Sequence, residues 1–159
     1  MRVLGIDPGL ATTGYGLIEA KNNTLKVIDY DCITTLPKLT IPMRLKSIYD
    51  KILIIIEKFK PDQIAVEEMF FTKNLKTAIS VSEARGVIIL AAAKKGIFDI
   101  YEYTPLQVKL ALVGYGKAQK RQIQQMVKVL LNLKSIPKPD DTADALAVAI
   151  CHINSKGLS

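Results

Sequence analysis

The chain has 159 residues, of which 49% are hydrophobic, and this is enough to bury the core of one compact domain without disulfide bonds. Twenty-two Lys and Arg against fifteen Asp and Glu give a net charge of +7, which favours a polyanionic partner. No stretch approaches the ~20 apolar residues of a membrane span, and the N-terminal residues predict a strand rather than a signal peptide. Cys32 and Cys151 are not spaced as a metal-binding or redox pair. A cytoplasmic protein is therefore expected.

The first part of the chain predicts three sequential β-strands. Apolar or alternating segments cover residues 2–7, 12–18 and 25–34. The first strand runs into the turn sequence Asp7-Pro8-Gly9, and the adjacent Asn22 and Asn23 tolerate the positive φ of a hairpin turn. An antiparallel meander of three strands follows from this pattern.

Helices and strands then alternate. Helical spacing of apolar residues predicts a helix up to residue 59 with Thr40 as its cap, followed by a buried strand over 63–67. A long helix over 74–95 and a fifth strand over 97–103 come next. Three more helices are predicted over 105–112, 117–131 and 140–153; Asp140 is expected to cap the last one and His152 to interact with the dipole at its end. The prediction is an α/β fold in a single domain, residues 1–159, with a mixed five-stranded sheet flanked by helices.

Four carboxylates occupy positions where charge is costly. Asp7 and Glu67 each end an apolar strand, and Asp141 and Asp144, three residues apart, share one face of an apolar helix. No Lys or Arg lies in these local segments to compensate them, so a divalent cation is indicated, and an oxygen-only ligand set suits Mg²⁺ or Mn²⁺. Taken singly, each has a simpler explanation as a turn, a helix cap or a strand entering solvent; their coincidence on three elements favours a metal site.

A long segment carries cations without anions. Residues 103–139 contain no Asp or Glu. Their cations are Lys109, Lys117, Lys120, Arg121, Lys128, Lys134 and Lys138. Such a segment is typical of nucleic-acid contact, although a solubilising face fits the charge equally well. Phe70 and Phe71, beside Lys73 and Lys76, could stack on unpaired bases or plug the end of a strand.

Several motifs together resemble one known family. In chain order they are LGIDPG (4–9), TGYG (13–16), AVEEMF (65–70), ARGV (84–87), QVK (107–109), VG (113–114) and DTADALA (141–147). The opening motif alone also occurs in actin-like ATPases and other RNase H-like proteins. The full set, from residue 2 to about 152, resembles the RuvC-type Holliday-junction resolvases.

The resemblance implies an RNase H-like fold, a homodimer and paired symmetric nicking of four-way DNA junctions in recombination and repair. It implies that Asp7, Glu67, Asp141 and Asp144 are both the catalytic residues and the ligands of two Mg²⁺ ions, with Mn²⁺ as a substitute. It also implies the RuvA–RuvB branch-migration complex as a partner. From resemblance and charge together, eight residues are expected to bind DNA: Phe70, Lys73, Lys76, Arg85, Lys109, Lys117, Lys120 and Arg121.

Two alternative functions remain open at this point. One is a module that binds branched DNA without cutting it, and the other is an RNase H-like nuclease acting on RNA–DNA hybrids. An actin-like ATPase needs two copies of the fold, which 159 residues do not supply. For the homodimer, the helix over 74–95 is the predicted interface because Ala78, Ser82 and Gly86 recur every four residues.

Overall fold

The computed structural model describes residues 1–68 and 74–157. Its sheet has the strand order β3-β2-β1-β4-β5. The strands are β1 (Arg2–Asp7), β2 (Thr12–Lys21), β3 (Thr24–Thr34), β4 (Gln63–Glu67) and β5 (Ile100–Tyr103). The first three pair antiparallel, whereas β4 is parallel to β1 and β5 is parallel to β4. The predicted mixed five-stranded sheet is therefore confirmed, and Asn22 and Asn23 do adopt positive φ in the hairpin turn.

Helices cover both faces of this sheet. They are α1 (Ile41–Phe59), α2 (Leu75–Lys94), α3 (Pro105–Val113), α4 (Lys120–Leu130) and α5 (Asp140–Lys156). Because strand side chains alternate, Leu4 and Ile6 of β1 pack in the cluster with α1 and α2, while Val3 packs with α5 on the opposite face. Within residues 1–68 and 74–157, no helix is long and apolar enough to cross a membrane.

Glycines let α5 lie directly on the sheet. A Cβ on Gly5 of β1 would lie 2.2 Å from the carbonyl oxygen of Ala145, and one on Gly14 of β2 would lie 2.0 Å from that of Asp141. Any side chain at these two positions would push the helix away. The start of α5 is thus held within van der Waals distance of the end of β1.

Four predicted element boundaries are wrong by three residues. Two of them are ends: β2 ends at Lys21 rather than 18, and α5 ends at Lys156 rather than 153. The fifth strand begins at Ile100 rather than 97, because Gly96 adopts a positive φ of 79° and the Ile97 N–H donates to the Ala92 carbonyl, which completes the end of α2. The fourth helix begins at Lys120 rather than 117. Its preceding residue Gln119 donates its N–H to the Gln122 side-chain carbonyl at 2.7 Å, as at a helix N-terminus.

Local interactions at three further residues differ from expectation. Thr40 does lie at the N-cap of α1, but its side chain makes no cap hydrogen bond. Asp140 is the first helical residue of α5, after Pro139, and its carboxylate binds Lys138 Nζ at 2.8 Å instead of capping the helix. His152 does not serve the helix dipole, because it is fully buried between Tyr103 and Gln63.

Candidate active site

The sheet and α5 bring the four predicted carboxylates to one place. Asp7 and Glu67 end the parallel neighbours β1 and β4. Each follows a residue of the α1–α2 cluster, Ile6 and Val66 respectively, so both side chains point to the opposite face, where α5 lies. Asp141 and Asp144 occupy the first turns of α5 directly above.

The proximity of these acids changes their protonation. Burial, followed by the charge of Glu67 and a hydrogen bond with it, raises the pKa of Asp7 to about 9, and the charges of Asp144 and Asp141 act in the same direction. Burial also raises the pKa of Glu67, although its hydrogen bond with Asp7 opposes this. Asp7 is therefore the protonated partner at neutral pH, and Glu67 is the acceptor.

Lys120 is the cation that pairs with an acid of this site. Its Nζ lies 2.8 Å from Asp144 Oδ2 and 3.7 Å from Asp140 Oδ2. Burial alone would lower the pKa of Lys120, but the hydrogen bond and charge of Asp144 outweigh this and raise it. Asp144 has no Lys or Arg in its own segment, and Lys120, which lies 24 positions away in the sequence, supplies the compensating charge.

A cavity of about 250 Å³ opens beside the acids. Glu67 and Asp144 line it together with Lys109 and Lys120. Pro105, Val108, Ile123 and Ala147 form its apolar wall. A phosphodiester entering this cavity would meet both carboxylates and ammonium groups.

The donor set fits a hard divalent cation. All four acids offer carboxylate oxygens, the ligand that Mg²⁺ and Mn²⁺ prefer, and the high pKa of Asp7 shows how unfavourable their charges are together. Over the described part of the chain, however, no three Asp, Glu, His or Cys side chains are already arranged to hold one ion.

Comparisons with known proteins agree with this architecture. The family model "Crossover junction endodeoxyribonuclease RuvC" matches residues 3–152. The chain belongs to the RuvC family. The crossover junction endodeoxyribonuclease RuvC of Ruminiclostridium cellulolyticum is 58% identical over 155 residues, which is 98% of this chain and 93% of that one.

Solved RuvC structures share the whole fold. Thermus thermophilus RuvC superimposes with a TM-score of 0.91 at 34% identity, covering 98% of this chain and 95% of that one. The same protein in complex with a Holliday junction substrate gives a TM-score of 0.90 at 32% identity, with the same coverage. The RNase H-like α/β fold expected from the sequence is thereby confirmed.

Four of the residues predicted to bind DNA in this RuvC chain lie at or near the cavity, and the described remainder lie on α2. Lys109 and Lys120 line the cavity, and Lys117 and Arg121 lie exposed around the start of α4. Lys76 lies exposed in the first turn of α2. Phe70 and Lys73, as well as Phe71, lie outside the described residues.

Arg85 is separated from the acids. Its guanidinium binds the Glu102 carboxylate, and Glu102 pairs in register with Val66, whose side chain faces α1 and α2. The Arg85 side chain is therefore on the face of the sheet opposite α5. Its role as a DNA contact stays a prediction, and its observed interaction ties α2 to β5.

One contributor to the site was missed by the sequence argument. Thr13 is fully buried, and its hydroxyl donates to the Gly9 carbonyl at 2.7 Å while accepting from the Gly9 N–H at 3.3 Å. These bonds fix the turn that follows Asp7. The signal available in the sequence was a Thr within the TGYG motif, four residues after Gly9, but a structural reason for it appears only in the fold.

Proposed function

We propose that this chain resolves four-way DNA junctions by paired nicks, as a metal-dependent endonuclease. The convergence of Asp7, Glu67, Asp141 and Asp144 from three elements beside a cavity with two lysines carries the proposal. It is supported by membership of a family described as crossover junction endodeoxyribonucleases and by likeness to a RuvC bound to a Holliday junction substrate.

The carboxylates would hold the metal. Two Mg²⁺ ions, when bound, supply a hydroxide nucleophile and stabilise the leaving 3′ oxygen. Asp7 interacts electrostatically with Glu67, Asp144 and Asp141, which supports a role for it in holding the metal with them. It must lose its proton to do so, since only the carboxylate form is a ligand.

The lysines would bind and orient the phosphodiester. Lys109 and Lys120 line the cavity from α3 and α4, together with Glu67 and Asp144. The Lys120 ammonium, which lies 2.8 Å from Asp144 and 3.7 Å from Asp140, would bind a phosphate oxygen. Lys117 and Arg121 would extend the positive surface along the DNA beyond the cavity. The other predicted contacts would bind the junction away from the cavity; they are Phe70, Lys73, Lys76 and Arg85.

The outer face of α2 would form the homodimer. Leu75, Ile79 and Leu90 are exposed there, and a Cβ on Gly86 would meet no atom within 4 Å. Ala78, by contrast, is buried inside its own subunit, so the predicted stripe of Ala78, Ser82 and Gly86 does not form one free surface. A two-fold dimer through the exposed residues matches the approximate symmetry of a four-way junction.

The remaining expectations concern the cellular setting. Junction processing would take place in the cytoplasm, by residues 1–159 acting as one domain. The RuvA–RuvB branch-migration complex is the expected partner, and co-sedimentation with RuvA–RuvB on a synthetic junction tests that association.

The deciding experiment is cleavage of an end-labelled four-way junction in Mg²⁺, with linear duplex and RNA–DNA hybrid as controls. We expect symmetric nicks in opposing junction strands from the wild type, and junction binding without nicks from Asp7→Asn. Binding without cutting by the wild type in both Mg²⁺ and Mn²⁺ would identify a non-cleaving module. Cutting of the hybrid alone would identify an RNase H activity, and normal cutting by Asp7→Asn would refute the assigned acids.

A further inference from the structure

An exposed aromatic side chain lies on the loop that joins α3 to α4. Tyr115 is 56% exposed and is flanked by Gly114 and Gly116. Neither the acidic site nor the hydrophobic core uses it. The loop belongs to the acid-free segment between residues 103 and 139.

The loop that presents Tyr115 is fixed at both ends. Gly114 adopts a φ of 68° and donates its N–H to the Leu110 carbonyl at 2.9 Å, which ends α3. The Tyr115 carbonyl accepts from the N–H of Ala118, a residue buried in the core. The backbone that carries the tyrosine ring is thus held in place before any partner arrives, which lowers the entropic cost of binding.

The position of the loop is next to the catalytic cavity. A Cβ on Gly116 would lie 2.6 Å from Leu106 Cδ1, so the loop packs against the row of α3 that carries Leu106 and Leu110. Pro105 and Lys109, which line the cavity, form the adjacent row, because successive helical residues are about 100° apart. The loop therefore packs on α3 next to the row of residues that lines the cavity.

The surrounding charge selects the partner. Lys109, Lys117, Lys120 and Arg121 are the nearest cations in sequence. Lys120 pairs with Asp144 and Asp140, whereas the other three form no ion pair with a described acid. A rigid exposed ring among cations is how proteins contact nucleotides, since the cations bind phosphates and the ring packs on a base or sugar. The unpaired charges of Lys109, Lys117 and Arg121 therefore favour a polyanion as the partner of this loop.

We propose that Tyr115 packs against a nucleotide of the junction strand that enters the catalytic cavity, and so adds an aromatic contact to DNA binding. The inference rests on the proposed resolvase function. It assigns DNA contact to a residue outside the acids and the basic side chains.

The absence of tryptophan from the chain gives a direct test. Tyr115→Trp places the only indole on this loop, and we expect its fluorescence to be quenched when the protein is titrated with a synthetic four-way junction in EDTA. Phe98→Trp is the matched control, because Phe98 is also exposed. It precedes β5 and so lies at the amino ends of the parallel strands, whereas Asp7 and Glu67 lie at their carboxyl ends. Its fluorescence should not change.

Affinity provides the second measurement. Tyr115→Ala should weaken junction binding roughly 5- to 150-fold, the loss expected for one stacking contact, with an unchanged melting temperature. Tyr115→Phe and Phe98→Ala should bind as the wild type does. Wild-type affinity in Tyr115→Ala, or unquenched indole fluorescence in a Tyr115→Trp protein that binds the junction, would overturn the inference.

Three further outcomes distinguish a failure of the inference from a failure of its premise. If Tyr115→Ala instead changes the oligomeric state in sedimentation, the ring contacts a second copy of the chain and the DNA assignment is wrong. If the wild type neither binds nor cuts a junction, the proposed function itself fails. If the wild type cuts normally and Tyr115→Ala binds and cuts equally well, only the role of Tyr115 fails.

Discussion

Asp7 keeps its proton at neutral pH at a cost to folding. The acid has a pKa of 3.8 when unperturbed and about 9 in the fold, so folding at neutral pH requires proton uptake. When folding raises the pKa of an acid, the free energy of unfolding falls as pH rises from the unfolded pKa toward the folded pKa. Asparagine has no such requirement and resembles the protonated acid in shape and hydrogen bonding.

Asp7→Asn should therefore stabilise the protein in EDTA. We expect the free energy of unfolding at neutral pH to rise by on the order of 1–4 kcal/mol in denaturant titrations, while stabilisation by added Mg²⁺ decreases. The exposed Asp99→Asn is the control and should change neither quantity. A less stable Asp7→Asn protein in EDTA would contradict the charge repulsion inferred here.

His152 is a buried neutral base that connects three elements. Its Nε2 donates to Gln63 Oε1 at 2.6 Å, which can only accept, and its Nδ1 accepts from the Tyr103 hydroxyl at 2.7 Å. Burial, followed by the charge of Lys156, lowers the pKa of His152 to about 4. The histidine of α5 thus contacts the start of β4 and the end of β5 without charge.

The protonation of His152 predicts acid sensitivity. Because folding lowers the pKa of His152, its contribution to the free energy of unfolding is full above the unfolded pKa of 6.5. That contribution is lost as pH falls toward about 4. Because this is the only histidine of the chain, its NMR signals are unambiguous, and they should not titrate near pH 6.5. A midpoint near 6.5 would refute the buried network. The unfolding free energy of His152→Gln should fall less steeply over the same pH range than that of the wild type.

At the scale of elements, the packing of α5 on β1 and β2 depends on glycine. Gly14→Ala would place a Cβ 2.0 Å from the Asp141 carbonyl oxygen, so α5 must move and carry Asp141 and Asp144 with it. We expect a loss of at least about 2 kcal/mol in unfolding free energy and loss of junction cleavage. Lys21→Ala, at the exposed end of β2, is the control. A Gly14→Ala enzyme with wild-type stability and cleavage would show that this close approach is not needed.

The sequence predicts most elements and the convergence of the acids, because local periodicity and strand ends carry that information. Asp7 and Glu67 were predicted as strand-end residues, whereas the pairing of β1 with β4 that makes them neighbours appears only in the fold. The pairing of Lys120 with Asp144 was not, since it depends on how α4 packs beside α5. The burial of His152 was misjudged because proximity to a helix end was taken for exposure, while the structure covers that end with Gln63 and Tyr103.

At the scale of the whole molecule, exposed apolar residues on α2 are the feature that a monomer does not explain. Ile79 is 52% exposed, with Leu75 one turn before it and Leu90 further along the helix. They lie on the side of α2 away from the sheet, whereas Ala84, Ile88 and Ala91 pack inward. If two copies meet through this surface, Ile79 is near its centre.

Ile79→Glu tests whether paired cutting depends on that surface. A carboxylate buried in the interface without a partner should weaken dimerisation by roughly 3 kcal/mol, or about 100-fold in dissociation constant, which sedimentation equilibrium measures. Ile54→Glu is the matched control, because Ile54 is also exposed but lies on α1 beside the β3 edge. We expect the Ile79 variant to be monomeric, to retain its fold and to lose coordinated nicking of opposing strands. A dimeric Ile79→Glu protein, or symmetric paired nicks from a monomer, would move the interface away from α2.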